Sequence, residues 1–353
     1  MKVALISCCS IRYMPYIELH KHILNKLGIE YIIISDHEVN EPLQENHFAY
    51  QAPKQRSKIG KIKRFFGWRR YVKTILKREK VERIVLLTTW PGVKFVDEWT
   101  RKYKNKYILD IRDFTSEGQK WYGRCVNHLI KNSHLTIVSS ERFKTWLIDS
   151  EKINVIHNMP VEYQEKNYPT LKPQMPYSIG YVGLVNYETQ NKALVNAFSQ
   201  NSNITLFYKG TIEKSCHIKE YCEKNCISNV IFTGRYDNSQ KGLLYDDIDM
   251  INAIYGNNSL VVTTALPNKL YDCIIYKKPL IASKGTYLGE LIEKYNLGIT
   301  VDTDKDDIFN IINDYVQKFD AEKFIVGCKD LMDCAIKEHK STTQKMEDFY
   351  QTL

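Results

Sequence analysis

The stretch Leu266-Pro267-Asn268-Lys269-Leu270-Tyr271-Asp272-Cys273-Ile274-Ile275-Tyr276-Lys277-Lys278-Pro279-Leu280-Ile281-Ala282 reads as a short helix that gives way to a buried strand. Pro267 fits the start of a helix, because the first-turn N–H groups have no intrahelical partner to lose. Those free N–H groups, at the positive end of the helix dipole, form a site for an anion such as a diphosphate. Lys269 adds a full positive charge, and Asp272, one turn further in, can accept hydrogen bonds from a ribose hydroxyl pair. Lys277, Lys278 and Pro279 end the helix, and Leu280-Ile281-Ala282 returns as a strand. The plainer alternative is a surface helix carrying an incidental Lys–Asp pair.

The same alternation extends in both directions. Before the stretch, apolar runs at Ser178–Val182, Ile204–Tyr208, Val230–Thr233 and Met250–Ile254 are separated by amphipathic segments, and Gly298–Val301 follows it. The first half repeats the pattern at Val3–Ile6, Tyr31–Ile34, Ile84–Thr88, Tyr107–Asp110 and Leu135–Val138. Continuous apolar runs mark strands covered on both faces, and strands alternating with helices form parallel, doubly wound sheets. Between the halves, Pro160, Pro169, Pro173 and Pro176 fall in a polar stretch that fits neither helix nor sheet interior.

The expected fold is therefore α/β, two doubly wound Rossmann-like domains facing a central cleft. Their bounds are residues 1–165 and 178–335, joined by a proline-rich linker at 166–177. A last helical segment, 336–353, is expected to pack back on the first domain. Ligands in such folds collect at the carboxyl edges of the strands. Ile308, Ile311, Ile312, Tyr315, Val316 and Phe319 fall three and four apart and give the preceding tail one apolar helical face.

A chain of 353 residues with 43% hydrophobic and 26% charged residues fits two folded domains and excludes disorder. Its net charge of +9 calls for an anionic partner. The opening apolar run is too short for a signal peptide and no later run reaches the length of a membrane span, so reduced thiols in a cytoplasmic protein are expected. Cys216, His217, Cys222 and Cys226 lack the paired spacing of a zinc site and read as ordinary helix positions.

The segment Leu266–Asp272, with Lys278-Pro279-Leu280-Ile281-Ala282 and Gly298-Ile299-Thr300-Val301-Asp302, resembles the donor-binding region of GT-B glycosyltransferases, especially glycosyltransferase family 4. In that family a carboxylate seven residues before the proline of a Gly-Lys-Pro-Val strand binds the nucleotide's ribose, and Asp272 lies seven before Pro279. The family usually has Glu at the Asp272 position, and its first glutamate, eight positions earlier, falls on Thr264. Ile179-Gly180-Tyr181-Val182-Gly183 resembles the strand that opens the family's second domain, with a glycine facing the cleft. Val230-Ile231-Phe232-Thr233-Gly234-Arg235 resembles its strand end near the nucleobase, and Val155-Ile156-His157-Asn158 the end of its first domain.

The resemblance implies a donor site of Gly183, Arg235, Thr264, Pro267, Asn268, Lys269, Leu270 and Asp272. The basic pair that often follows the first glycine is missing, and neither Lys192 nor Lys209 is assigned its role. Ile108-Leu109-Asp110-Ile111-Arg112-Asp113-Phe114 resembles an Asp-any-Arg-Asp segment of bacterial polysaccharide transferases of this family. A carboxylate there can take an acceptor hydroxyl's proton or steady positive charge on the sugar. Asp113 is the preferred catalytic residue and Asp110 the second, with Arg112 holding a carboxylate or an acceptor phosphate. An Asp–Arg pair that only pins a loop is the plain alternative. Asp247-Ile248-Asp249 is rejected as a metal-binding pair, because it leads into a strand of the second domain.

Lys54, Arg56, Lys58, Lys61, Lys63, Arg64, Arg69, Arg70, Lys73, Lys77 and Arg78 crowd one segment with Ile59, Ile62, Phe65, Phe66, Val72, Ile75 and Leu76 at helical spacing. This is either the domain's own helix with a solvated basic face or an element lying on an anionic leaflet. Lys61, Lys63, Arg64, Phe65, Phe66 and Trp68 are the expected membrane contacts.

The expected activity is a hexosyltransferase-like transfer from a UDP- or GDP-linked sugar to a saccharide or lipid-linked saccharide in surface polysaccharide synthesis. Metal and cofactor are not expected, since Lys269 and the helix start serve the leaving diphosphate, and retention of configuration is what the family implies. The rivals are a nucleotide-sugar epimerase on the same scaffold and a basic nucleic-acid-binding protein. Nucleic acid is not an expected partner, because the charge is confined to one segment without a recognised binding motif.

Overall fold

The computed structural model describes residues 1–36, 43, 45–51, 57–159 and 170–352. It divides into two units: Met1–His157 with Lys337–Leu353, and Asn158–Ile336. Against an expected first boundary at residue 165, the division falls between His157 and Asn158. Pro160, Pro169 and residues 166–169 of the expected linker lie outside the described residues, as do Lys54 and Arg56.

The first unit runs β1 (Lys2–Ile6), α1 (Ile17–Lys26), β2 (Glu30–Asp36), β3 (His47–Tyr50), α2 (Lys58–Arg78), β4 (Arg83–Leu87), α3 (Thr89–Lys94), α4 (Val96–Arg101), β5 (Tyr107–Ile111), α5 (Lys120–Asn132), β6 (Leu135–Val138) and β7 (Ile153–Val155). Its strands form one seven-stranded sheet in the order β3-β2-β1-β4-β5-β6-β7. Every pairing is parallel, with Ile6 opposite Ile34 on one side and Leu86 on the other. β4, β5 and β6 are buried along their whole length, as strands covered on both faces must be. β3 and β7 are short edge strands without a continuous apolar run, and periodicity did not single them out.

The second unit runs β8 (Tyr177–Val182), α6 (Glu188–Phe198), β9 (Ile204–Lys209), α7 (Ile218–Lys224), β10 (Val230–Gly234), β11 (Met250–Ala253), α8 (Leu260–Thr264), α9 (Lys269–Tyr276), β12 (Leu280–Ser283), α10 (Tyr287–Lys294), β13 (Gly298–Val301) and α11 (Ile308–Gln317). Its six strands are parallel, in the order β10-β9-β8-β11-β12-β13. One face of the sheet packs on Leu194, Val195 and Phe198 of α6, Cys216, Ile218 and Cys222 around α7, and Ile308, Ile312 and Val316 of α11. The other packs on Leu270, Tyr271 and Ile274 of α9 and Leu288 and Ile292 of α10. Helices on both faces make this sheet doubly wound.

The chain ends in α12 (Ala321–Gln351). Its Phe324, Cys328, Leu331 and Met332 belong to the second unit's core. Met346, Phe349 and Tyr350 enter the first unit's core beside Val3, Leu5, Ile23 and Val85. The last stretch of the chain thus packs on the first unit's sheet, as a helix that begins before residue 336. The nine cysteines are unpaired, and Cys216 and Cys222 are core residues while Cys226 is exposed. No helix among the described residues is long and apolar enough to cross a membrane.

Candidate functional site

In the second unit the strand order reverses between β8 and β11, and the carboxyl ends of strands at such a reversal open the crevice where ligands bind. Gly183 follows β8 and its N–H bonds to the Lys209 carbonyl at 2.9 Å. Gly210, at φ +148°, comes so close that a Cβ there would lie 1.8 Å from the Gly183 carbonyl oxygen. Gly183, at φ +129°, meets nothing where its own Cβ would be, so this corner stays open. Arg235 is exposed just past Gly234, at the end of the edge strand β10.

The start of α9 lies on this unit as well. Its first bonds run from the Leu270 N–H to the Pro267 carbonyl at 3.1 Å and from the Tyr271 and Asp272 N–H groups to the Asn268 carbonyl at 3.0 Å. The N–H groups of Asn268 and Lys269 are left without a partner among the described residues. Asp272 is nearly buried, and both its oxygens are engaged: Oδ1 by Lys241 Nζ at 2.6 Å and Oδ2 by the Tyr245 hydroxyl at 2.8 Å.

Three expected donor contacts sit differently from the sequence reading. Lys269 does not project as a free cation. Its ammonium donates to the Asn252 carbonyl at 2.9 Å and lies 3.0 Å from the centre of the Tyr181 ring, with Tyr255 at 5.1 Å. Burial pushes its pKa well below the ordinary lysine range, against the pull of Asp272 and with the help of Lys241. Leu270 is a core side chain, so α9 offers a ligand only backbone at that position. Thr264 is buried, with its hydroxyl on the Leu260 carbonyl at 2.6 Å, one turn back in α8. A helical threonine can close back on the preceding turn in this way. Pro267 is half-buried and Asn268 exposed.

The two basic residues left unassigned are also engaged. Lys192 pairs with Glu188, and Lys209 pairs with Asp247 and donates to the Leu244 carbonyl at 3.0 Å. Asp249 accepts from the Ser178 N–H at 2.9 Å. Among the described residues no group of three or more His, Cys, Asp or Glu could hold a metal ion.

In the first unit, Asp110 lies within β5 and Asp113 beyond its end. Asp110 is wholly buried and cannot meet an acceptor. It pairs with the His20 ring at 2.9 Å and with two nitrogens of Arg112, one at 3.0 Å, and the His20 ring also bonds the Tyr350 hydroxyl at 2.9 Å. Burial works to raise its pKa, but Arg112 and His20 together hold the carboxyl below the usual range. Arg112 is likewise buried, donating to the Ile156 carbonyl at 2.9 Å, with the Tyr16 ring 5.0 Å from its guanidinium carbon. It is a positioning group for Asp110 rather than an exposed anion holder.

Asp113, two residues past the strand, is exposed. The protein crowds its carboxyl nonetheless. That desolvation raises its pKa, opposed by Arg112 and reinforced by Glu117. Along the segment Asp110–Asp113 stand groups that sequence reasoning missed: Tyr16 near Asp110, Arg112 and Asp113, His339 near Arg112, and Thr88 on Asp110. The Tyr16 hydroxyl and the His339 Nδ1 are buried with no hydrogen-bond partner. Burial, with the charges of His157 and Arg112, pushes His339 down to about 4. Thr88 holds the strained φ of +74° and gives its N–H to the Asp110 carbonyl at 2.8 Å.

The basic segment forms α2, capped by Ser57, whose hydroxyl accepts from the Gly60 N–H at 3.0 Å. Trp68 is not a membrane contact: it is 1% exposed and packs with Tyr50, Tyr71 and Phe95. Arg64 is not free either, since its guanidinium grips the buried carboxylate of Asp36. Phe65 is half-buried, edge-on to Phe66 at 5.4 Å. Lys61 and Lys63 are exposed, together with Ile59 (69%), Ile62 (57%) and Phe66 (61%). Positions 59, 62, 66, 70, 73 and 77 follow at intervals of three and four, so one outward stripe begins apolar and continues as Arg70, Lys73 and Lys77. Phe66, Arg70, Lys73 and Lys77 also line an open groove of about 440 Å³ on that face.

No family model matches the sequence, and no curated protein matches it. Solved structures do resemble it along their whole length. The sucrose-phosphate synthase of Thermosynechococcus elongatus superposes with a TM-score of 0.70 at 14% identity, over 99% of this chain and 98% of that one. Anabaena HepE in complex with UDP gives 0.68 at 14%, over 99% and 100%. The lipopolysaccharide outer core galactosyltransferase WaaB in its apo form gives 0.67 at 13%, over 99% of both chains. At these identities the likeness is one of fold, and with two parallel-sheet units of seven and six strands the chain has the GT-B fold.

Proposed function

We propose that this protein is a glycosyltransferase that moves a sugar from a nucleoside diphosphate to a saccharide or lipid-linked saccharide in surface polysaccharide synthesis. The observation that carries the reading lies in the second unit. A nearly buried carboxylate, Asp272, stands one helical turn from the unpartnered N–H groups of Asn268 and Lys269. The spacing fits a nucleotide, with the ribose diol donating to Asp272 and the diphosphate meeting the N–H groups and the helix dipole. The fold supports it too, since structures of the same architecture include galactosyltransferase WaaB and HepE with UDP or UDP-glucose.

In this reading the acceptor hydroxyl gives its proton to Asp113. Its oxygen bonds to the anomeric carbon on the same face from which the diphosphate departs, and the carbon–oxygen bond to the diphosphate breaks with the electron pair leaving on the phosphate, so that configuration is retained in one step. Lys269 acts from beneath, as part of the floor under Tyr181. The transfer uses no cofactor and no metal, proceeds in excess EDTA and retains the anomeric configuration, which proton NMR of the product checks. A nucleotide-sugar incubated without acceptor should not be isomerised; interconversion would move the assignment to an epimerase.

UDP or GDP at a hundred times its Kd should stabilise the protein by about 2.7 kcal/mol, seen as a rise in Tm. Asp272→Asn should remove most of that rise. A Tm that no nucleoside diphosphate moves would end the donor-site reading.

The acceptor side of the proposal includes an anionic membrane. The stripe Ile59, Ile62 and Phe66 sets apolar side chains at one end of α2, with Arg70 and Lys77 behind them and Lys73 between these two paired with Glu98 at 2.7 Å. Such a face lies in the headgroup region, each cation adding about 1 kcal/mol near an anionic surface. Vesicles containing phosphatidylglycerol should co-sediment the protein at low salt. The variant with Ile59, Ile62 and Phe66 all changed to Ser should stay in the supernatant, with turnover of a water-soluble acceptor unchanged. Equal sedimentation of both proteins would confine α2 to a structural role. Oligonucleotides should not compete with the vesicles.

A further inference from the structure

The carboxylate expected at the ribose is already occupied by a side chain of the protein itself. Tyr245, bonded to Asp272 Oδ2, is fully buried and stacks on Tyr276 at 4.4 Å, so that bond is part of the core. Lys241 is different. It sits on the 3-10 segment Asn238–Tyr245, its side chain is 30% exposed, and it reaches down to a carboxylate that is 7% exposed. A ribose hydroxyl approaching Asp272 Oδ1 meets the ammonium of Lys241 in its place.

The diphosphate end has the opposite problem. Lys269, the cation nearest the helix start in sequence, is held on the Asn252 carbonyl beneath the Tyr181 ring. Lys192 and Lys209 are paired with Glu188 and Asp247. The N–H groups of Asn268 and Lys269 supply only partial charge. One helical turn, about 5.4 Å, separates them from Asp272, which is within the pivot of a lysine's four-carbon stem.

We propose that Lys241 is the exchanging cation of the donor site: it neutralises Asp272 when no nucleotide is bound and moves to the nucleotide's phosphates when the ribose diol takes its place. The exchange keeps Asp272 hydrogen-bonded at each stage, by Tyr245 throughout and by the diol in place of Lys241, while Lys241 trades one anion for another. This rests on the reading of Asp272 as the ribose ligand. It adds a consequence that reading lacks: Lys241 opposes a nucleoside and favours a nucleoside diphosphate.

The test is calorimetric titration of the whole protein and its Lys241→Met variant with two pairs, uridine against UDP and guanosine against GDP. For the pair that binds, the variant should hold the nucleoside as tightly as the parent or more so. Its preference for the diphosphate over the nucleoside should fall at least about tenfold, the loss of one charge-assisted contact. Lys241→Arg should keep the preference. If Lys241→Met weakens nucleoside and diphosphate equally, or leaves their ratio unchanged, Lys241 is only a structural partner of Asp272 and the inference fails while the donor site stands. If the parent protein binds neither pair, the donor site fails and the inference with it.

Discussion

Asp113→Asn is expected to lower kcat by about a hundred-fold to ten-thousand-fold, the range for loss of a positioned proton acceptor. The affinity for a nucleoside diphosphate should be unchanged, because the groups proposed to hold it belong to α9 and its surroundings in the other unit. Asp113 is exposed, yet desolvation of its carboxyl, with Glu117 adding and Arg112 opposing, raises its pKa. A carboxylate whose folded pKa lies above its unfolded value is ionised only above that higher pKa. The rate should therefore fall with acid through a pKa above the ordinary aspartate value of about 3.9. That limb should vanish from the residual activity of the variant. The linkage has the same sign for stability: the folded state holds this proton more tightly, so Asp113 contributes stability below the unfolded pKa and loses it as pH rises through the folded one. The asparagine variant should thus unfold no more easily than the parent at pH 7. A kcat within threefold of the parent would remove Asp113 from the chemistry.

The contrast between Asp113 and Asp110 shows where sequence reading stops. Both stand in one segment of seven residues, and the segment was legible as a strand end bearing charge. What separates them is that Asp110 lies within β5 and Asp113 past its end, and the company each side chain keeps. Asp110 points into a space closed by His20 of α1 and Tyr350 of α12, residues 90 positions before it and 240 after it. No local pattern connects those three. Lys269 was misplaced for a similar reason. Its charge reads as a surface feature, but Tyr181 of β8 and the carbonyl of Asn252 from β11 supply a ring face and an acceptor that accommodate it inside.

The long apolar strands were legible because burial on both faces leaves a continuous run, as in Arg83–Leu87 and Tyr107–Ile111. His47–Tyr50 and Ile153–Val155 were not, because short edge strands carry no such run. Lys241 left no signal at all. A lysine in a polar segment is the commonest surface residue, and only its bond to Asp272 gives it meaning.

Asp110→Ala should cost about 3–5 kcal/mol at pH 7, the usual penalty for removing one partner of a buried ion pair. Alanine leaves the Arg112 guanidinium and the His20 ring facing each other without the anion that joins them. The tryptophans offer a clean readout: Trp68, Trp90, Trp99, Trp121 and Trp146 all lie in the first unit. Their fluorescence should report a lower urea midpoint for the variant, while nucleotide binding by the second unit persists below that midpoint. The sign of the pH dependence follows from the depressed pKa of Asp110. Its contribution is present above the unfolded value of about 3.9 and is lost as pH falls through the lower folded one, so parent and variant should converge only in strong acid. His339 acts earlier on the same descent. Its folded pKa of about 4 lies below the unfolded value of about 6.5, so both proteins should weaken together as pH falls between those values. If the fluorescence midpoint of Asp110→Ala matches that of the parent and turnover is lost, the buried pair holds no fold together, and Asp110 would have to reach the acceptor through a conformation in which its bond to His20 is broken.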